Sequence, residues 1–108
     1  MTDPLILPKD PKIQDYQSYI ANMVKLRGFD KETLPEIMLL MIEEVGELAK
    51  VIRKQHGIHT DPVSLLSTAE DELADVFNYL LDIANNLGVD LEVAFRKKEA
   101  KNKLRTWS

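Results

Sequence analysis

The stretch LLMIEEVGELAKVIRK, residues 39–54, lays down the pattern of an apolar helix and then breaks it with three carboxylates. Ile37, Leu40, Met41, Leu48, Val51 and Ile52 recur at intervals of three and four, as one helix face turned towards a core does. Glu44 takes the step that this pattern would fill with another apolar side chain, and Glu47 follows one turn later. Glu43 stacks with Glu47 at i, i+4 nearer the edge of the stripe. The next helical stretch repeats the device. Leu65, Ala69, Val76, Tyr79 and Ile83 define its stripe, Glu72 fills the missing step, and Asp75 lies three residues beyond.

The rest of the chain supports a helical reading. With 108 residues and 44% hydrophobic content it is long enough for one core, and only 4 Gly and 5 Pro interrupt long runs of helix formers. Residues 1–10 read as an irregular arm, and 11–108 as a single domain of four helices. The first helix is expected from about Pro11 to Arg27, capped by Asp10, with Ile13, Tyr16, Ile20, Met23 and Val24 on its stripe and Gly28 as its stop. The second should start near Thr33, with Glu36 in the capping-box position, and run to Gln55 before Gly57. Asp61-Pro62 is expected to open the third, which ends at Asn86 before Gly88. Asp90 should cap a basic fourth helix reaching about Leu104. The fold class expected is therefore all-α, with long antiparallel helices.

Composition excludes several functions. The 14 basic and 18 acidic residues leave a net charge of −4, against the basic surplus of a nucleic-acid binder. No cysteine is present, which removes disulfide and thiol chemistry and fits a reducing setting. The longest apolar run, IMLLMI, has six residues, far short of a membrane span. A soluble, cytoplasmic protein without membrane partners is expected.

Four acids on two apolar stripes then need compensation. Burying an ionised carboxylate alone costs several kcal/mol or drives its pKa upward, and like charges one turn apart add to that cost. The third helix offers no Lys, Arg or His between Pro62 and Asn86. Hard divalent cations answer the problem economically: Mg²⁺, or Mn²⁺, takes oxygen ligands and is commonly shared between carboxylates, water and substrate phosphates. The competing account is an ordinary solvated acidic face, which explains paired glutamates but not their placement inside two stripes.

At these residues the chain resembles the MazG-type nucleoside triphosphate pyrophosphohydrolases, an all-α superfamily that includes dimeric dUTPases, dCTP pyrophosphatases and phosphoribosyl-ATP pyrophosphohydrolase. Their Glu-Glu-x-x-Glu motif is matched by EEVGE (Glu43, Glu44, Glu47) and their Glu-x-x-Asp motif by ELAD (Glu72 to Asp75), with 24 residues between. The tail KKEAKNKLRTW is similar to the family's lysine, asparagine and basic residue at Lys98, Asn102 and Arg105. The resemblance implies that Glu44, Glu47, Glu72 and Asp75 hold Mg²⁺ and that Lys98 and Asn102 contact the triphosphate. Tyr79 would lie against the base. It also implies hydrolysis of a (deoxy)nucleoside triphosphate to monophosphate and pyrophosphate by water attack at the α-phosphorus, with Glu43 as a candidate proton acceptor or metal-shell residue.

The residues themselves support that chemistry, since four carboxylates repel a polyphosphate unless cations intervene. A basic strip on the fourth helix, from which Lys98 and Arg105 are singled out as seven residues apart on one face with Asn102 between them, supplies the opposite charge. IMLLMI is apolar around most of its helix, as in a segment covered on several sides, so a homodimer or homotetramer centred on the second and third helices is expected. His56, His59 and Trp107 receive no role. Two rivals differ in kind. A non-catalytic helical interaction module would show no response to Mg²⁺. A di-iron bundle wants Glu-x-x-His pairs, and neither histidine falls three residues after a Glu.

Overall fold

The computed structural model describes residues 4–58 and 68–105, which form four helices and, among the described residues, no strand. They are α1 (Ile13–Leu26), α2 (Leu34–Gln55), α3 (Ala69–Leu87) and α4 (Leu91–Lys103). The all-α expectation holds. No helix among the described residues is long and apolar enough to cross a membrane.

Two helix starts follow their sequence signals and two do not. At α2 the Thr33 hydroxyl accepts from the Glu36 amide at 3.3 Å, and the Glu36 carboxylate accepts from the Thr33 amide at 3.2 Å and its hydroxyl at 2.8 Å. At α4 the Asp90 carboxylate accepts from the Val93 amide at 3.0 Å. The first helix, by contrast, begins at Ile13 rather than Pro11, because the Asp15 carboxylate accepts from the Lys12 amide at 2.8 Å and makes Lys12 the boundary. The third begins at Ala69, where the Thr68 hydroxyl accepts from the Asp71 amide at 3.2 Å. The Asp61-Pro62 signal and Leu65 lie outside the described residues.

Two compact units make up the chain. One comprises residues 1–31 and 84–108; α1 and α4 pack together in it, and Ile20, Met23 and Ala84 are buried. The other comprises residues 32–83, with Ile37, Val51 and Leu81 buried among its described apolar residues. Glu44 of α2 faces Glu72 and Asp75 of α3, while Tyr79, further along α3, lies near Glu32 before α2, so the two helices run antiparallel.

Only part of the expected α2 stripe is covered. Ile37 and Val51 are buried and Leu40, Met41 and Leu48 half-buried, whereas Ile52 is exposed. The spacing explains the correction: Ile52 falls in register with Met38, Ile42 and Val45, all of which are exposed along a different flank of the helix. Leu73, Phe77 and Leu80 form a matching exposed series on α3.

Candidate active site

Glu44, Glu72 and Asp75 each place a carboxylate oxygen within 4.8 Å of the other two. Position follows from helical spacing. Glu72 and Asp75 are one turn apart on α3, and Glu44 reaches them from the antiparallel α2. Glu72 is buried at 5% exposure, Glu44 is half-buried, and Asp75 stands at the open side.

Electrostatics makes this arrangement untenable as three bare anions. At separations up to 4.8 Å, each ionised pair repels by about 3.5 kcal/mol or more at an effective dielectric of about 20. The group responds by keeping a proton. A hydrogen bond with Glu72, then burial, then the charges of Glu72, Asp75 and Glu47 push the Glu44 carboxyl up to about 7. Burial and the neighbouring Glu72 and Asp71 raise Asp75 as well. Burial, then the charges of Glu32, Glu44, Asp75 and Glu43, raise the Tyr79 phenol, which stays protonated at neutral pH.

Three hard oxygen donors this close together fit a divalent ion such as Mg²⁺ or Mn²⁺. Glu47 is the expected ligand that does not join them. Its carboxylate turns instead to Lys50, with Nζ at 3.6 Å. Both side chains are about half-exposed, so the pair contributes about 0–1 kcal/mol and holds Glu47 weakly. Glu43 is exposed on the flank towards Tyr79, which is itself half-buried.

The expected phosphate-contacting residues belong to the other compact unit. Lys98 is exposed and Asn102 half-buried on α4, one turn apart. Arg105 departs from the expected single helical face, because α4 ends at Lys103. The Leu104 and Arg105 amides turn back to the carbonyls of Lys101 and Asn102, tightening the end of the chain's last helix. His56 is exposed at the end of α2, while His59 and Trp107 lie outside the described residues.

Sequence reasoning passed over two buried polar residues, Asp82 on α3 and Gln17 on α1. Gln17 is only 7% exposed on α1 and makes side-chain hydrogen bonds to both ends of the α3–α4 corner. Its signal was its position, four residues after Ile13 and three before Ile20, inside the α1 stripe.

Comparison with known proteins adds to this geometry. The profile of the MazG nucleotide pyrophosphohydrolase domain matches residues 32–106. Among solved structures, iMazG from Vibrio DAT 722 is 35% identical in a C-terminally tagged form, with a TM-score of 0.64, covering 86% of this chain and 99% of that one. Its N-terminally tagged form is 34% identical, with a TM-score of 0.65, covering 90% of this chain and 99% of that one. The YPJD protein of Bacillus subtilis shares the fold at 24% identity, with a TM-score of 0.78 over 92% of this chain and 100% of that one. No curated protein matches.

Proposed function

The chain belongs to the MazG nucleotide pyrophosphohydrolase family, hydrolases acting on phosphoric anhydrides, and on that premise we propose that it converts ribo- or deoxyribonucleoside triphosphates and water to the monophosphate and pyrophosphate with Mg²⁺ or Mn²⁺ as cofactor. The observation that carries this reading is the convergence of Glu44, Glu72 and Asp75 within 4.8 Å. These three carboxylates would hold the cation, and Glu47 would join them by leaving its weak pairing with Lys50. A bound divalent ion supplies two things there: it neutralises the charge of the polyphosphate and acidifies the attacking water.

The chain's own residues supply the rest. Lys98 and Asn102 would bind the phosphates, Lys98 as a cation and Asn102 as an amide donor, with Arg105 adding positive charge beyond the helix end. Tyr79 offers a flat apolar ring to the base and a phenol still able to donate. Glu43, exposed beside it, would take the proton that water loses as the α–β anhydride breaks and pyrophosphate leaves. House-cleaning of a cytoplasmic nucleotide pool is the role proposed.

A second copy of the chain belongs to the same proposal. The exposed series on α2 and α3 give two apolar faces on the helices that carry the acids, as a homodimer or homotetramer centred on those helices requires.

The deciding experiment is a panel of ribo- and deoxyribonucleoside triphosphates incubated with Mg²⁺, with pyrophosphate scored separately from orthophosphate. Pyrophosphate release that EDTA stops, and that Glu72→Ala and Glu47→Ala abolish while circular dichroism stays helical, is the expected result. Release unaffected by EDTA or retained in Glu72→Ala would overturn the assignment of the acids.

A further inference from the structure

We infer that Gln17 is the positioning residue for α4, its side-chain amide fixing where that helix starts and therefore where Lys98 and Asn102 are carried. The inference rests on the proposed reading of those two residues as phosphate contacts. Everything it needs lies within one compact unit, residues 1–31 with 84–108.

The corner between α3 and α4 is short. Gly88, at φ +67°, turns the chain out of α3, with its amide on the Asn85 carbonyl at 3.2 Å and the Val89 amide on the Ala84 carbonyl at 2.9 Å. Asp90 then caps α4. Two further backbone groups of the corner are taken up by Gln17. Its Nε2 donates to the Val89 carbonyl at 2.8 Å, and its Oε1 accepts from the Leu91 amide, the first of α4, at 3.0 Å. The second proton of Nε2 goes to Asn85 Oδ1 at 3.1 Å, and Asn85 Nδ2 returns a bond to the Gln17 carbonyl at 2.8 Å. One amide therefore ties α1 to the last turn of α3 and the first turn of α4.

Packing alone does not account for this. A cavity of about 280 Å³ opens beside the clamp, lined by Gln14, Ser18, Ala21 and Gly88 among others, so the amide is directed by its hydrogen bonds on that side. Glutamine is seldom buried, and an apolar residue would suit the stripe between Ile13 and Ile20. What an apolar residue cannot do is point two donors and an acceptor at fixed places on the corner.

Leverage turns that bond set into a functional constraint. Asn102 lies eleven residues beyond Leu91, about 16 Å along the helix. A tilt of about 5° at the corner displaces it by about 1.4 Å, enough to carry a hydrogen bond of about 2.9 Å to a bound phosphate out of bonding distance. Gln17 touches neither substrate nor metal in this scheme.

The test compares wild type with Gln17→Met, Gln17→Glu and Asn85→Asp in the full chain. Gln17→Met keeps the volume and removes the bonds. Gln17→Glu keeps the acceptor for Leu91 and sets its other oxygen against the Val89 carbonyl and Asn85 Oδ1, and Asn85→Asp keeps the acceptor for Gln17 Nε2 while setting an oxygen against the Gln17 carbonyl. Three readouts are taken: KM and kcat for the best triphosphate of the panel, Mn²⁺ binding, and hydrogen exchange at the Leu91 amide. Faster exchange at Leu91 and a KM raised about tenfold or more, with a smaller change in kcat and unchanged Mn²⁺ affinity, is the expected pattern. If Gln17→Met fails to fold by circular dichroism, Asn85→Asp decides by the same criteria. Unchanged KM in folded variants of an active wild type overturns the positioning role and leaves the hydrolysis reading standing. A wild type that releases pyrophosphate from no triphosphate removes both, and does so before any variant is made.

Discussion

Glu44 is where the chemistry of the site becomes measurable without a substrate. Its folded-state pKa of about 7 lies above the ordinary 4.5, so between those values the folded protein holds a proton that the unfolded chain has given up. The unfolded state binds fewer protons in that window, and stability must fall as pH rises through it. Asp75, also raised, contributes with the same sign. Metal-free protein is therefore expected to melt highest near pH 5 and lower at pH 7–8, and Mg²⁺, competing for the proton's place, should stabilise more at pH 8 than at pH 5.5. Glu44→Gln should flatten the metal-free profile and cancel most of the Mg²⁺ effect. Its gain at pH 8 is about 1 kcal/mol or less once solvent screening of a half-exposed group is allowed for. Calorimetry in EDTA from pH 5 to 8 measures this, and a flat wild-type profile would contradict the shared proton. The three converging acids were legible in the sequence because a charge inside an apolar stripe breaks a strong periodic rule. Glu47 was legible only as a neighbour, since its turn towards Lys50 is a rotamer choice of low energy that spacing does not encode. Gln17 escaped because a neutral amide breaks the stripe less visibly than a carboxylate.

Among the helices, legibility depended on which of two local signals won. Thr33-x-x-Glu36 and Asp90 were read correctly because each side chain meets an amide that has no other partner at a helix start. Asp-Pro pairs looked equally strong, yet α1 starts beyond Pro11, where Asp15 reaches back to the Lys12 amide and satisfies the boundary there. Thr68 does the corresponding work for α3. The long, strongly periodic α2 and α3 were thus readable as helices, while their edges were competitions between hydrogen bonds of similar strength. The α2 cap makes a quantitative case. Thr33→Ala removes the hydroxyl that accepts from Glu36 and donates to its carboxylate, at an expected cost of about 1 kcal/mol. For a domain of this length that is about 4–8 °C in Tm. Thr33→Ser should retain most of it, and kcat should be unchanged in both, because the acids sit on the following turns of a helix that still forms. Thermal melts of the two variants at matched protein concentration check the claim, and a silent Thr33→Ala would mean that the box contributes nothing.

At the scale of the molecule the unanswered feature is apolar surface on the two helices that bear the acids. Met38, Leu39, Ile42, Val45 and Ile52 on α2, with Leu73, Phe77 and Leu80 on α3, are 39–67% exposed in the single chain. Complete burial of such side chains contributes about 1.5–3 kcal/mol each, so covering the half that remains contributes about 1 kcal/mol apiece. Eight on each of two chains supply about 16 kcal/mol, at the upper edge of the range of about 4–15 kcal/mol that association costs. Self-association resting on these faces is therefore favourable, and a charge placed on them, which enters a symmetric interface twice, should undo it. Wild type is expected to sediment as a dimer or tetramer at micromolar concentration, with a Tm that rises with protein concentration. Ile42→Glu and Leu80→Glu should each shift it to monomer. Leu104→Glu, a change at a residue 88% exposed beyond the end of α4, should leave the assembly intact. Should the monomeric variants also lose pyrophosphate release while still binding Mn²⁺, the second chain is needed to hold α2 and α3 in their catalytic arrangement. A wild-type monomer at micromolar concentration would leave these eight side chains without a role and remove the assembly from the proposal.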